Sequence, residues 1–150
     1  MTEEQQKLLQ RIYTEQQMTE SNLGLMQQRL EAIQAYLTNY RSGLMVLKEI
    51  ETKEKEEEML INVGGSIFVE AKLVNPGKVT RGLGSGIRIE QSVVTAKEVV
   101  SEAVESLEQQ YEKLAQEYQS LLQRASVLNT QFQQLAAQIQ SVKPPGEEEE

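Results

Sequence analysis

Three glycines lie within five positions of the segment RGLGSGIRIE, which runs from Arg81 to Glu90. A glycine-rich loop that joins a strand to a helix can hold a phosphate, because its backbone N–H groups approach the anion closely. Here Gly86 is followed by Ile87 and a strand-like pattern rather than by a helix, and the sequence has no Gly-Lys-Ser or Gly-Lys-Thr triplet. We therefore interpret these glycines as the turn of a β-hairpin, with Gly84-Ser85 at its tip.

Other catalytic chemistry has little support in the sequence. The chain contains no His and no Cys, which excludes imidazole and thiolate catalysis and the usual zinc ligands. The acidic segment KEIETKEKEEE (residues 48–58) lacks the ligand spacing and glycine of a calcium-binding loop. It favours a solvated continuation of a helix, with Glu49–Lys53 and Glu51–Lys55 as ion pairs one turn apart. We expect neither an enzyme nor a cofactor or metal site.

Composition and charge narrow the classes of function and fold that remain. The net charge of −8 disfavours binding to nucleic acid or to an acidic membrane surface, both of which require basic patches. No window of about 20 apolar residues could span a bilayer, and the polar start MTEEQQKLLQ does not resemble a targeting peptide. We expect a soluble cytoplasmic protein. Aromatic residues make up only 5%, and the abundance of Gln, Glu, Leu and Lys is typical of long helices.

Two segments carry an unbroken heptad pattern, which predicts two helices of a coiled coil. In the first segment the seam consists of Leu9, Ile12, Gln16, Thr19, Leu23, Met26, Leu30, Ile33, Leu37, Tyr40, Leu44 and Leu47. In the second it consists of Val100, Val104, Leu107, Tyr111, Leu114, Tyr118, Leu121, Ala125, Leu128, Phe132, Leu135, Ile139 and Val142. Pro144 and Pro145 end the second helix, because proline lacks the backbone N–H.

The two seams can pack against each other if the chain doubles back. Layers that run from Leu47 with Val104 to Leu9 with Val142 pair every seam position of one helix with one of the other. This register predicts an antiparallel helical hairpin whose two chain ends lie together at one tip. It places Gln16 opposite Leu135 and Thr19 opposite Phe132.

The residues between the helices are β-branched and interrupted by turn residues. Gly64-Gly65 predicts the turn of a first hairpin, Asn75-Pro76-Gly77 a connecting turn, and RGLGSGIRIE a second hairpin. Ser92 or Thr95 can cap the following helix. The predicted organisation is a helix over 1–58, two hairpins over 59–91, a helix over 92–143 and a disordered acidic tail over 144–150.

Four short strands are too few to bury their own apolar side chains. Pairing of strand edges between subunits would cover those side chains and leave no free edge, as in a shared barrel. The alternative is a small sheet packed on its own helix ends. The side chains that we expect to mediate assembly are Ile67, Val69, Leu73, Val79, Ile87 and Ile89.

A long helix, two hairpins and a long returning helix resemble the α-type subunit of the prefoldin family. The likeness is most specific in MLINVGGSIFVEAKL and GLGSGIRIEQSVVTAKEVV. It implies an α+β fold, a long antiparallel coiled coil with two β-hairpins inserted between the helices, the hairpins forming part of an oligomeric β-barrel. It further implies a chaperone that assembles with β-type subunits as an α2β4 hexamer. Such chaperones hold nonnative clients at the tips of their arms without ATP and deliver them to a group II chaperonin.

The predicted client site lies at the tip of the coiled coil. Gln16 and Thr19 are polar seam positions, and polar residues there weaken a coiled coil. Splaying of the helices would expose Leu8, Leu9, Ile12, Tyr13, Phe132, Leu135, Ile139 and Val142. The alternative is an ordinary closed seam. Rival functions are a structural scaffold and a filament-forming prefoldin-like protein, whereas the charge argues against a nucleic-acid-binding arm.

Overall fold

In chain order, two long helices flank two β-hairpins in the computed structural model, which describes residues 2–141. The elements in chain order are α1 (Glu3–Glu51), β1 (Glu58–Gly64), β2 (Ile67–Lys72), β3 (Lys78–Gly84), β4 (Ile87–Ser92) and α2 (Val93–Ser141). This architecture confirms the predicted fold class as far as a single chain carries it. The chain divides into a helical unit, Met1–Ala32 with Tyr111–Glu150, and a hairpin unit, Ile33–Gln110.

Side-chain caps define where each helix begins. At α1 the hydroxyl of Thr2 accepts a hydrogen bond from the Gln5 amide at 3.2 Å, and the Thr2 amide donates to the Gln5 side chain at 2.9 Å. This reciprocal pair satisfies two of the N–H groups that a helix start leaves without a partner. At α2 the Ser92 hydroxyl accepts from the Thr95 amide at 3.1 Å. Of the two predicted caps, Ser92 is therefore the one used.

Helix α1 ends at Glu51, earlier than the expected continuation to residue 58. The segment after it joins the first hairpin: the Glu56 amide donates to the Leu73 carbonyl at 2.7 Å, and the Leu73 amide donates to the Glu57 carbonyl at 3.1 Å. Glu56 has a φ of 62°, which a helix does not permit. The expected helical ion pairs are replaced as well, because Glu51 contacts Lys97 at 2.6 Å and Lys53 contacts Glu57 at 3.6 Å.

The helical unit is an antiparallel pair of helices with a shared, mostly apolar seam. Ile12, Leu128 and Leu135 are buried together, and Leu9, Phe132 and Ile139 pack against them. Leu128 has no exposed surface at all. Further along α1, Met26 lies beside Leu114 and Leu121. Residue numbers thus rise along one helix as they fall along the other, as predicted.

The register of this pair differs from the predicted one. Glu15 forms an ion pair with Arg124, whose Nε lies 2.8 Å from the Glu15 carboxylate. In the predicted register Glu15 would lie level with Ala136, twelve residues and about 18 Å from Arg124. Ile12 lies between Leu128 and Leu135 instead of beside Ile139, a shift of one heptad.

The shift has a simple physical reason. A regular heptad seam repeats every seven residues, so two registers one heptad apart form equally apolar layers. In the observed register Gln16 lies level with Leu128 rather than with Leu135, and Glu15 comes within reach of Arg124. Flanking charge pairs therefore distinguish the registers, as charged residues beside a coiled-coil seam commonly do.

The two hairpins of the hairpin unit share one design. Strands β1 and β2 pair antiparallel from Glu58 with Lys72 to Gly64 with Ile67, and β3 and β4 pair from Lys78 with Ser92 to Gly84 with Ile87. Each register shifts once just before the turn, at Gly64 and at Gly84. Equivalent positions of the two hairpins are twenty residues apart, as at Ile67 and Ile87.

Each turn lies one residue later than the sequence suggests. The central residues are Gly65-Ser66 and Ser85-Gly86, and all four have positive φ between 51° and 77°. Positive φ at both central residues is the mark of the type I′ turn, whose twist matches that of the paired strands. Gly64 and Gly84 form the irregularity that precedes the turn and are not central to it. The predicted turn at Asn75–Gly77 is confirmed, since the Gly77 amide donates to the Asn75 side chain at 3.0 Å.

Candidate functional site

The side chains expected to bind clients do not share one environment. Leu8 and Tyr13 are 47% and 54% exposed, whereas Ile12 and Leu135 retain only 7% and 8% exposure. Leu9, Phe132 and Ile139 are partly buried against that pair. Val142 lies outside the described residues. The structure thus contains a closed seam with an exposed apolar rim at the end of the helical unit where α1 begins and α2 ends.

The polar seam positions do not open the coil in this structure. Thr19 is 5% exposed and Gln16 is half-buried, while Leu128, level with Gln16, is fully buried. A hydroxyl and an amide in the seam contribute less to packing than apolar residues would, because they bury less apolar surface. These two layers therefore bury less apolar surface than Leu or Ile at the same positions would.

A groove of about 400 Å³ follows the surface of the helical unit at this end. Helix α2 contributes Gln131, Gln134 and Gln138, a row of amides spaced so that they lie on one face. Helix α1 contributes Leu8 and Arg11 from the facing side. The groove therefore combines hydrogen-bonding amides and a guanidinium with an accessible apolar side chain.

The charged side chains in and beside this groove differ in whether they form ion pairs. Glu15 is neutralised by its ion pair with Arg124. Within residues 2–141, Arg11 forms no ion pair, and Lys7 pairs with Glu3 at 3.3 Å. The sequence analysis missed Arg11 and the glutamine row because neither lies in the seam. The spacing of the three glutamines is the signal that could have identified them.

The expected assembly residues lie on corresponding faces of the two hairpins. On the first hairpin Val69 is opposite Ile61, and Ile67 follows on the same face. On the second hairpin Ile89 is opposite Arg81, whose Nε donates to the Gln91 side chain at 3.0 Å. Towards the turns the side chains are exposed, as at Ile67, Val69 and Ile87, whereas Leu73, Val79 and Ile89 are half-buried.

The opposite faces of the two hairpins differ in polarity. On the first hairpin Leu60 and Phe68 are both more than half exposed. The corresponding face of the second hairpin carries Thr80, Arg88 and Glu90. The face of the first hairpin that carries Leu60 and Phe68 also carries Glu58, Asn62, Glu70 and Lys72, so these two side chains are single exposed apolar residues on a mostly polar face.

Metal binding and membrane spanning have no support in the described residues. Within residues 2–141 there is no cluster of three or more acidic side chains arranged to hold a metal ion. Neither helix, as far as it is described, has a stretch long and apolar enough to cross a membrane.

Comparison with known proteins identifies the family. A family model for the prefoldin subunit matches residues 19–138, well over half of the chain. The chain is also similar to prefoldin subunit alpha of Archaeoglobus fulgidus, with 28% identity over 88 residues. That match covers 59% of this chain and 64% of the relative, slightly less than two thirds of the relative's length.

Solved structures show the same fold at low identity. A filamentous PFD from Methanocaldococcus jannaschii matches with a TM-score of 0.60 and 20% identity, over 77% of this chain and 95% of that one. The prefoldin beta subunit from Thermococcus strain KS-1 matches with a TM-score of 0.56 and 18% identity, over 92% and 95% respectively. The chain therefore belongs to the prefoldin family and, with two inserted hairpins and an alpha subunit among its relatives, to the α-type members of that family.

Proposed function

We propose that this chain is a subunit of an ATP-independent chaperone that holds nonnative proteins and delivers them to a group II chaperonin. Its clients would bind at the end of the coiled coil that carries the start of α1 and the end of α2. The observation that carries this proposal is the apolar rim there, where Leu8 and Tyr13 are about half exposed beside the buried pair Ile12 and Leu135. Membership of the prefoldin family supports the same role.

The rim suits a client that offers no fixed shape. Each apolar side chain that a client covers contributes roughly 1–3 kcal/mol before entropic costs. Leu8 and Tyr13 are available in the closed state, and splaying at the Gln16 and Thr19 layers would add Ile12, Leu135 and their neighbours. Several such arms on one client would raise the overall affinity without any tight single contact.

Assembly through the hairpins would supply those several arms. The exposed side chains Ile67, Val69 and Ile87 support pairing with other prefoldin subunits, β-type subunits among them, in an α2β4 hexamer with a shared barrel. Cytoplasmic localisation is part of the same proposal. A filament built through the same hairpins is the second arrangement to be tested, because it would use the same strand edges.

The client site can be tested on its two exposed members. We expect the double change Leu8→Ser and Tyr13→Ser to reduce suppression of client aggregation several-fold, because it removes apolar surface that the fold does not bury. Helicity and thermal stability are expected to stay within the range of the unaltered chain, since surface changes usually alter stability by less than about 0.5 kcal/mol.

The matched control is Leu25→Ser with Tyr36→Ser. Both side chains lie on α1 and are at least as exposed as the two test residues, but both lie further along α1, away from the start of the helix that carries Leu8 and Tyr13. The control should suppress aggregation like the unaltered chain. Equal losses in the two double variants, or no loss in either, would contradict a client site at this end.

A further inference from the structure

The second hairpin carries one polar pair on the face that we propose for assembly. Arg81 and Gln91 lie diagonally across β3 and β4, and the Nε of Arg81 donates to the Gln91 side chain at 3.0 Å. Both residues are half-buried in the single chain. The other side chains of this face are apolar, namely Val79, Ile87 and Ile89. The pair thus interrupts a surface whose other side chains favour burial.

The first hairpin shows that this type of hairpin forms without such a pair. At the offset of twenty residues, Arg81 is equivalent to Ile61 and Gln91 to Ala71. The corresponding face of the first hairpin is apolar and consists of Met59, Ile61, Ile67, Val69 and Ala71. Both hairpins nevertheless have the same strand pairing and the same shift before the turn. The effect of the polar pair therefore falls on whatever meets this face.

The guanidinium of Arg81 is not neutralised within the described chain. Gln91 is uncharged and accepts a hydrogen bond from one of the five N–H groups that an arginine carries. Within residues 2–141, Arg81 takes part in no ion pair. Water can satisfy the other donors while the face is exposed. Once the face is buried, the charge needs a partner, because a buried and unpaired charge is costly.

A second copy of this chain does not offer that partner on its own hairpin faces. The face of its first hairpin has only apolar side chains, as the pairing of β1 with β2 shows. The face of its second hairpin would bring another Arg81, so that two guanidiniums and no carboxylate would share one interface. The carboxylates of the four strands all lie on the opposite faces, at Glu58, Glu70 and Glu90. Contact between copies is thus disfavoured at the second hairpin and not at the first.

We infer that the Arg81–Gln91 pair excludes a second copy of this chain from the second hairpin and reserves that hairpin for a different subunit, one that places an acidic side chain opposite Arg81. The inference rests on the proposed assembly through the hairpins and deepens it, because it assigns different partners to the two hairpins. Specificity is a difference in affinity, and an unpaired charge acts against the wrong partner. A chain with one self-compatible hairpin can pair with a copy but cannot continue into a filament of identical chains.

Self-association of the full chain, with no other subunit present, tests the exclusion. Sedimentation velocity of the unaltered chain should show no species larger than a dimer, because only the first hairpin accepts a second copy. Arg81→Ile with Gln91→Ala gives the second hairpin the residues of the first at both positions. This double variant should raise the weight-average mass at least about twofold at equal concentration, since both hairpins then accept a copy. Helicity by circular dichroism should be unchanged.

The matched control adds the same apolar side chain to the other face of the same hairpin. Arg88→Ile with Glu90→Ala changes two exposed positions there and should leave the mass distribution of the chain unaltered. Equal association of the two double variants would reduce the effect to added apolar surface and would overturn the inference. Assemblies beyond the dimer in the unaltered chain would overturn it as well, and so would an Arg81→Ile, Gln91→Ala variant whose mass matches that of the unaltered chain.

Co-assembly with a β-type subunit separates this inference from the proposed function. Arg81→Glu should weaken co-assembly at least about tenfold in a native mass spectrometry titration, because it sets a like charge against the partner's acidic side chain, whereas Arg81→Lys should weaken it less. If Val69→Glu with Ile87→Glu abolishes co-assembly but no change at Arg81 alters it, the hairpin interface stands and the role of Arg81 fails. If Arg81→Ile with Gln91→Ala extends self-association while the unaltered chain binds no β-type subunit, the exclusion of copies stands and the proposed partner fails.

Discussion

At the scale of single residues, burial separates the side chains that hold the helices together from those that remain available. Leu128 is fully buried between α1 and α2, whereas Leu122 on the same helix is 38% exposed. Leu8 and Leu135 line the same groove, yet only Leu8 presents substantial surface. Changes at the buried positions therefore test stability, and changes at the exposed positions test binding.

We expect Leu128→Ala to lower the free energy of unfolding by about 2–5 kcal/mol, because it removes a fully buried side chain and leaves a cavity in the seam. Leu122→Ala makes the same chemical change on the same helix at an exposed position and should cost less than about 1 kcal/mol. Urea unfolding followed by circular dichroism measures both values. Similar values for the two variants would show that Leu128 is not the centre of the seam.

At the scale of elements, the seam between the two helices contains two polar layers. Gln16 and Thr19 occupy neighbouring seam positions that Leu or Ile would fill in a strong coiled coil. In the observed register both contribute to the closed unit, since Thr19 is buried and Gln16 half-buried. Their polarity limits how tightly α1 and α2 hold together near the proposed client site.

We expect Gln16→Leu to raise Tm by several degrees, because it adds apolar burial level with Leu128. If clients bind to a splayed end, the same change should reduce suppression of client aggregation, since the closed state would be favoured. Gln17→Leu, at the adjacent exposed position, serves as the control and should alter neither quantity. A higher Tm with undiminished client holding would argue that splaying is not part of the mechanism.

At the scale of the whole molecule, the hairpins present more apolar surface than a single chain covers. Val69 and Ile87 are 47% and 59% exposed on the faces proposed for assembly, and Leu60 and Phe68 are exposed on the other face of the first hairpin. Edge strands with such surfaces favour pairing with another chain.

We expect Val69→Glu with Ile87→Glu to prevent assembly with a β-type subunit while helicity is unchanged, because both side chains are exposed in the single chain and a charge there costs free energy only when it is buried. Thr80→Glu, on the polar face of the second hairpin, is the control. Native mass spectrometry with and without the β-type subunit measures the outcome and distinguishes a hexamer from a filament. An intact assembly in the double variant would remove these faces from the interface.

The sequence by itself determined the elements and their order. Heptad spacing predicts both helices and their antiparallel packing, because only a side-by-side pair buries two such seams. Glycines at Gly64–Gly65 and Gly84–Gly86 predict two hairpins, since few other residues adopt positive φ at low cost. The charge of −8 argues against binding to nucleic acid or to an acidic membrane, and the lack of His and Cys excludes imidazole and thiolate catalysis.

The tertiary structure alone decided how those elements meet. A seven-residue repeat cannot distinguish registers one heptad apart, and the ion pair between Glu15 and Arg124 does so only once the helices pack. Helix α1 ends at Glu51 because the backbone of Glu56 and Glu57 pairs with Leu73, a contact between residues distant in sequence. Local patterns thus specify local structure, whereas register, helix end and the groove around Arg11 depend on contacts that no short segment contains.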